Sequence, residues 1–260
     1  MTDPSICLVT GGGGPAIGQG ICRALAQAGW RVIVADLDLA AAEAVAAACG
    51  AEAVAMRLDV TDDARIESLV AELLSTHGRL DGLVNSAGIG LVRPLGKTTR
   101  AEFDRIIAVD LASVWSCAKA VLPTMIAQGH GSIVNIASNH AVASSAGYGA
   151  YAAAKAGVLG LTRGLALDYG RYGIRCNAVL PGLVDGASTR AHLETAGLQA
   201  EQFVQGWLAH RQLLPRPIDP IDIGNVVEFL LSDRSRAVTG AALLADAGTS
   251  TLLFDQQEDH

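Results

Sequence analysis

Positive charge is scarce in this chain: 19 lysines and arginines face 26 aspartates and glutamates, giving a formal net charge of −7 and a pI near 5.3. No basic cluster offsets that balance, so the electrostatic footprint of a nucleic-acid partner is missing and none is expected. Paired cysteines are missing too. Cys7, Cys22, Cys49, Cys117 and Cys176 are odd in number, scattered and embedded in apolar segments without a CxxC spacing. That pattern predicts buried reduced thiols and neither a disulfide framework nor a metal site. No apolar run approaches the roughly 18 uninterrupted residues of a membrane span, and Met1 to Ser5 lack the basic region of a secretory leader. A cytoplasmic protein with no membrane partner is expected. Linkers, internal repeats and low-complexity tracts are absent as well, which predicts one domain over residues 1–260.

What the chain does have is apolar residues, 50% of its 260, with a mean hydropathy of +0.34, enough for a sizeable core. Short runs rich in Val and Ile alternate with alanine- and leucine-rich stretches of helical period. This alternation is the signature of an α/β fold, a parallel sheet with helical crossovers. Seven strands are expected near 5–10, 31–35, 53–58, 81–85, 131–137, 174–180 and 241–245. Helices are expected near 18–29, 38–49, 62–77, 100–128, 149–170, 190–211 and 219–232. The run 185–220 breaks the rhythm with Gly186, Gly197, Gly206, Arg190, His192, His210 and the turn Pro215-Arg216-Pro217, and is a candidate lid over a substrate site.

The first strand runs into Thr10 and then Gly11-Gly12-Gly13-Gly14-Pro15-Ala16-Ile17-Gly18 before a helix. Glycines at a strand-to-helix turn let backbone approach a pyrophosphate, whose charge the exposed N–H groups of the helix start can bind. The second strand ends in Asp36, where a carboxylate would accept both hydroxyls of an adenosine ribose and repel a 2′-phosphate; this predicts NAD as cofactor, with Asp38 as the cap of the next helix. Further on, Tyr151 and Lys155 stand four apart on one helix, so phenol and ammonium can point into one cavity. A phenol is protonated at neutral pH, and a fixed positive charge beside it favours the phenolate, a form suited to taking a proton.

These motifs give the chain a family resemblance over nearly its whole length. Thr10-Gly11…Ile17-Gly18, Leu58-Asp59-Val60, Asn85-Ser86-Ala87-Gly88, Ser138, Tyr151…Lys155 and Pro181-Gly182 occur in this order and spacing. In them the chain resembles the short-chain dehydrogenase/reductase family, in its branch of single-domain NAD(P)-dependent enzymes of about 250 residues. The resemblance implies a doubly wound Rossmann-like fold, a seven-stranded parallel sheet flanked by helices. It implies Tyr151 as general acid/base, Ser138 as donor to the same substrate oxygen, and Lys155 as the partner that binds the nicotinamide ribose and favours the phenolate. It implies cofactor contacts at Gly11, Gly14, Ile17, Gly18 and Asp36, at Asp59 and Val60 beside the adenine, at Asn85, Ala87 and Gly88 along the cleft, and at Pro181, Gly182 and Val184 beside the carboxamide.

The chain departs from the family pattern in places. The glycine-rich turn has an extra residue and Ala16 where a glycine belongs, but its four successive glycines leave it freedom enough to bind. Asp110 stands where an asparagine usually holds a water linking Lys155 to bulk solvent. As a carboxylate it can accept from that water but not donate, so a working relay with altered proton traffic is expected. Ser86 replaces a second asparagine. The threonine usually found after Pro181-Gly182 has no clear equivalent: position 186 is glycine, and Ser188 or Thr189 could take over that contact.

For the substrate side the expected contacts are Asn139, His140, Ser144, Tyr148, His192 and Trp207, with Val184 nearby. A wall this polar suits a sugar, polyol or hydroxy acid. Arg190, Arg211 and Arg216 of the lid could pair with an anionic substrate or stand solvated. The helices near 100–128 and 149–170 present Ile106, Val109, Val114, Val121, Val158, Leu161 and Leu165, which similar proteins use to build tetramers. A homotetramer is expected, with a second interface from Leu243-Leu244-Ala245 through Leu252-Leu253-Phe254. The expected activity is NAD-dependent hydride transfer to or from a secondary alcohol; a ketoacyl-type carbonyl reductase and a catalytically weak NAD-binding regulator are the alternatives.

Overall fold

A computed structural model describes residues 4–195 and 197–252. Seven strands form one parallel sheet: β1 Ile6–Thr10, β2 Arg31–Asp36, β3 Val54–Arg57, β4 Gly82–Asn85, β5 Gly131–Ile136, β6 Ile174–Pro181 and β7 Ala242–Ala245. Their spatial order is β3-β2-β1-β4-β5-β6-β7, with Leu8 in register with Ile33 on one side and Leu83 on the other. The order reverses between β1 and β4. At such a switch point the crossovers leave in opposite directions and open a crevice beyond the strands' C-terminal ends.

The helices are α1 Ile17–Gln27, α2 Leu39–Cys49, α3 Asp63–His77, α4 Arg100–Ile107, α5 Ser113–Gln128, α6 Gly149–Tyr169, α7 Ala187–Thr195, α8 Ala200–His210 and α9 Pro220–Leu231. Alternation along each strand feeds two apolar layers, because successive side chains point to opposite faces. Ile6, Leu8, Ile33 and Leu83 pack with α3 and α5 through Leu69, Val121 and Met125. Cys7, Val9, Val32 and Val34 pack on the other face with α1, α2 and α9 through Ile21, Val45 and Val227. Burial on both faces is why the strands read as continuous apolar runs. The cysteines follow suit: Cys7, Cys22, Cys117 and Cys176 are buried, Cys49 is half-buried, and all five are free thiols.

Local chemistry sets the ends of several elements. The Asp38 carboxylate accepts from Ala41 N at 3.2 Å and starts α2 as expected. Thr99 and Glu102 form a reciprocal capping box on α4. The expected helix 190–211 is instead two, α7 and α8, broken at Gly197, whose φ of +78° lies in the left-handed region that ends helices. Between α4 and α5 the helix widens to a π turn over Ala108–Ala112. The continuous run Arg100–Gln128 is long and apolar enough to cross a membrane, but half of its apolar window is buried in the fold, as in a core helix.

The apolar residues expected at a subunit interface are mostly committed elsewhere. Ile106, Val114, Val121, Val158 and Leu165 are buried within the chain. The apolar groups these helices leave exposed are Phe103, Trp115 and Leu167, and on the sheet edge Leu243 and Leu244. Leu253 and Phe254 lie outside the described residues.

Candidate active site

The crevice at the switch point is a cleft of about 850 Å3. Gly11, Gly14, Ile17 and Gly18 line its floor, Asp36, Asp59 and Val60 one end, and Ala87, Gly88, Gly182 and Val184 its far wall. Thr10 ties the two central strands together: its hydroxyl accepts from Ser86 N at 3.2 Å and Ala87 N at 3.4 Å. A Cβ at Gly18 would stand 2.1 Å from Gly11 O, so only a glycine lets the turn close there.

The residues present fit a dinucleotide. Helix α1 has no side-chain cap and no acidic residue in its first turn, which leaves its N–H groups and positive dipole end available to an anion. Asp36 accepts from Gly13 N and Asp38 N, each at 3.0 Å, so the carboxylate that would meet a ribose also fixes the glycine turn. Asp59 is pinned by the Thr61 hydroxyl at 2.7 Å and Thr61 N at 2.9 Å, bonds that hold its carboxyl below the usual range. The departures at Ala16 and Gly186 meet one another: a Cβ at Gly186 would stand 2.5 Å from the Ala16 Cβ. The methyl that replaces a glycine in the turn thus fills the space that a side chain at 186 would need.

Two expected cleft residues do not line it. Asn85 is buried behind the wall and donates to Asn135 Oδ1 at 2.9 Å, and Asn135 in turn donates to the Thr162 hydroxyl at 3.0 Å. Pro181 ends β6 in the sheet, and Gly182 carries the turn into the cleft. Ser188 and Thr189 line both this cleft and the cavity beyond it. Leu37 and Thr61, which sequence reasoning missed, belong to the cleft through position alone, in the segments that follow β2 and β3, and Leu183 lines it between Gly182 and Val184.

That second cavity, about 1020 Å3, brings Ser138, Tyr151, Lys155 and Asp110 to one wall, with Asn139, His140 and Tyr148 beside them. Ser138 follows β5 and caps a short 3-10 turn, its hydroxyl accepting from His140 N at 3.2 Å. Lys155 is 4% exposed; its Nζ donates to Ile136 O at 3.2 Å and lies 5.7 Å from the centre of the Tyr151 ring. Asp110, fully buried in the π turn, meets Lys155 Nζ at 3.1 Å and accepts from Ile89 N at 3.1 Å. At that distance carboxylate and ammonium touch directly, a contact that the expected relay did not include. Burial pushes the Asp110 carboxyl up, against the pull of Lys155 and the Ile89 N–H. A Cβ at Gly88 would stand 2.6 Å from Asp110 Oδ1 and 3.2 Å from Lys155 Nζ, so the pair packs directly on the backbone of the loop after β4.

On the far side His140 stacks on Tyr148 with ring centres 4.2 Å apart, and its Nδ1 lies 2.9 Å from the Ser144 hydroxyl. Burial lowers the His140 pKa, so the ring is neutral near pH 7. His192 of α7 and Trp207 of α8 also line this cavity, whereas Ser144 faces a smaller annex next to it. The three arginines of the run 185–220 divide: Arg190 pairs with Asp185 at 2.6 Å and Glu201 at 3.0 Å within that run, Arg216 pairs with Asp222 of α9 at 3.0 Å, and Arg211 lines both the cavity and the annex beside it.

Comparison with known proteins agrees with this arrangement. A family model described as enoyl-(acyl carrier protein) reductase matches residues 14–250. The chain is 36% identical to levodione reductase of Leifsonia aquatica over 94% of both chains. It is 37% identical to sorbitol dehydrogenase of Cereibacter sphaeroides over 93% of this chain and 90% of that one. A crystal structure of a Burkholderia xenovorans protein ascribed to the short-chain dehydrogenases/reductases superposes with a TM-score of 0.89 at 34% identity, covering 95% of this chain and 97% of that chain.

Proposed function

The chain belongs to the short-chain dehydrogenase/reductase family, and from that premise we propose that it transfers hydride between NAD(H) and a polar secondary alcohol, with Ser138, Tyr151 and Lys155 as its proton-transfer group. It is an alcohol dehydrogenase/reductase, so the regulator alternative loses its ground. The observation that carries the proposal is the meeting of two spaces: the glycine-floored cleft and the cavity holding Ser138, Tyr151 and Lys155 share Gly182, Leu183, Ser188 and Thr189.

Bound nicotinamide supplies the hydride acceptor or donor. In the oxidising direction Tyr151, as phenolate, takes the proton of the alcohol oxygen while the C–H bond electrons leave as hydride, and the carbinol becomes a carbonyl. Ser138 donates to that oxygen and fixes it. Lys155, held between Ile136 O and Asp110, keeps a positive charge near the phenol. Reduction runs the same steps backwards. NAD is favoured over NADP because Asp36 stands at the ribose end of the cleft, where its charge repels a 2′-phosphate. Asn139, His140 and Ser145 supply hydrogen-bonding groups suited to a sugar, polyol or hydroxy acid, and α7 with α8 form the lid of a single domain. We place the enzyme in the cytoplasm as a homotetramer, with exposed Trp115, Leu167, Leu243 and Leu244 as the apolar groups that assembly would cover.

An NADH-absorbance screen over sugars, polyols, hydroxy acids and hydrophobic alcohols, run with NAD and NADP, tests this reading. Turnover of a polar alcohol at least about tenfold better with NAD is expected, and Asp36→Ala should erase most of that preference. NAD binding without turnover of any alcohol would contradict it.

A further inference from the structure

Aromatic residues are few in this chain, four Phe, three Trp and four Tyr in 260 residues, and among the described residues none is buried in the core. Trp30, Tyr169 and Tyr172 only flank it. An aromatic side chain brings the largest apolar area available to a core, so placement elsewhere points to another use. Four of them, Tyr148, Tyr151, Phe203 and Trp207, line the cavity that holds the proton-transfer group, joined there by His140. All five rings are half-buried, so each keeps surface to offer a ligand.

They come as two stacked pairs on separate elements. His140, in the short turn after β5, and Tyr148, the residue before α6, stack with ring centres 4.2 Å apart and planes 23° apart. Tyr151 stands across them at 75° and 66°, its ring centre 5.9 Å from that of His140 and 6.3 Å from that of Tyr148, so the reacting phenol adjoins a flat aromatic surface. The second pair sits on α8. Phe203 and Trp207 are four apart, which puts them on one helix face, and they stack at 6.0 Å and 26°. Trp207 Nε1, the only polar atom of that side chain, is buried, so the surface this residue gives the cavity is ring carbon. His140 and Trp207 both continue into the annex, which brings the two pairs to the same end of the cavity.

An aromatic face carries the negative lobe of its quadrupole and receives weakly positive C–H groups. A saturated ring presents such groups on a rigid face and keeps its equatorial hydroxyls at the rim, where Asn139 and Ser145 supply polar partners. An open chain of matching composition has to freeze several torsions to lie on the same surface, an ordering cost that ring closure removes. We propose that the cavity is a slot for cyclic secondary alcohols: a saturated ring rests against the His140–Tyr148 and Phe203–Trp207 pairs and turns one carbinol to Tyr151 and Ser138. The proposal rests on the dehydrogenase reading and adds the shape of the molecule taken, with open-chain polyols and hydroxy acids discriminated against.

The test compares ring with chain at matched carbons and polar groups. With NAD, kcat/KM should be at least tenfold higher for a vicinal cyclohexanediol than for the open-chain vicinal hexanediol whose hydroxyls are both secondary. A second arm, free of turnover, titrates cyclohexanecarboxamide and heptanamide calorimetrically onto the full chain with NADH present; the ring compound should bind at least fivefold more tightly. Both preferences should fall to within twofold in Phe203→Leu and, separately, in Trp207→Leu, and return in Trp207→Phe, with melting curves confirming that each variant is folded. Equal handling of ring and chain by the parent, or a preference that survives in both leucine variants, would overturn the proposal. A ring preference in binding by a protein that oxidises neither diol would leave the slot standing and sink the dehydrogenase reading; NAD-linked turnover with no ring preference would do the reverse.

Discussion

The two halves of the site are made of different material. The nucleotide cleft is floored by backbone, glycines and strand-end residues locked into the sheet, whereas the substrate cavity is walled by side chains carried on the turn after β5 and on α7 and α8. The cleft can be constant because a pyrophosphate and a ribose ask for N–H groups and one carboxylate at a fixed spacing. The cavity has to match whatever the substrate is. Between the halves sits one element that belongs to both, the buried pair of Lys155 and Asp110, packed on Gly88 from the cleft and on Ile136 from the cavity.

Breaking that pair should give the largest effect. Lys155→Met leaves Asp110 buried with the Ile89 N–H as its remaining partner, and removing one member of a buried pair costs about 3–5 kcal/mol. The double variant Asp110→Asn/Lys155→Met should recover more than half of that stability in denaturant melts yet stay inactive, which separates the structural debt from the catalytic one. A smaller effect is expected on the cleft side. In Gly18→Ala the new methyl meets Gly11 O, an overpacking that costs about 1–3 kcal/mol, and NADH should bind at least tenfold more weakly by fluorescence titration. Comparable loss of NADH binding in a variant of the substrate wall, such as His140→Ala, would blur the division drawn between the halves.

The subtlest effect is on pH dependence. Because burial raises the Asp110 carboxyl, the parent loses the negative partner of Lys155 at a less acidic pH than an ordinary carboxylate, near 3.9, would imply. Acid-side kcat/KM should therefore fall in the parent where Asp110→Asn stays flat. Stability moves the other way. The folded state keeps a proton that the unfolded chain has released, so the Asp110 contribution is full below the ordinary carboxylate pKa and is lost as pH rises through the raised value. Parent melting temperature measured against the asparagine variant should drop over that window, and superimposable pH profiles would remove Asp110 from the account.

Much of the cleft was legible in the sequence. Gly11 and Asp36 stand at strand ends whose apolar runs locate them, Gly18 in the first turn of the helix that follows, and the helix spacing of Tyr151 and Lys155 predicts a shared cavity. Less regular elements hid the rest. Asn85 looked like cleft wall, but it is buried and its Nδ2 donates to Asn135, a cross-strand pairing that only the register of β4 and β5 reveals. The direct contact of Asp110 depends on a π turn that no residue pattern announced. Arg190 and Arg216 read as open cations until the fold placed Asp185 and Asp222 beside them. Thr249 and Ser250 were overlooked as lining of the annex, although they follow the last parallel strand.

Tyr151 carries the central claim, that a phenol on the cavity side completes chemistry begun on the cleft side. In Tyr151→Phe the ring and its packing against His140 remain, and only the hydroxyl is lost. Turnover of the best alcohol from the screen should fall by about a hundredfold to ten-thousandfold, the range a general acid/base contributes, while the NADH Kd stays within threefold of the parent. Retained turnover in that variant, with NADH still bound, would contradict the account.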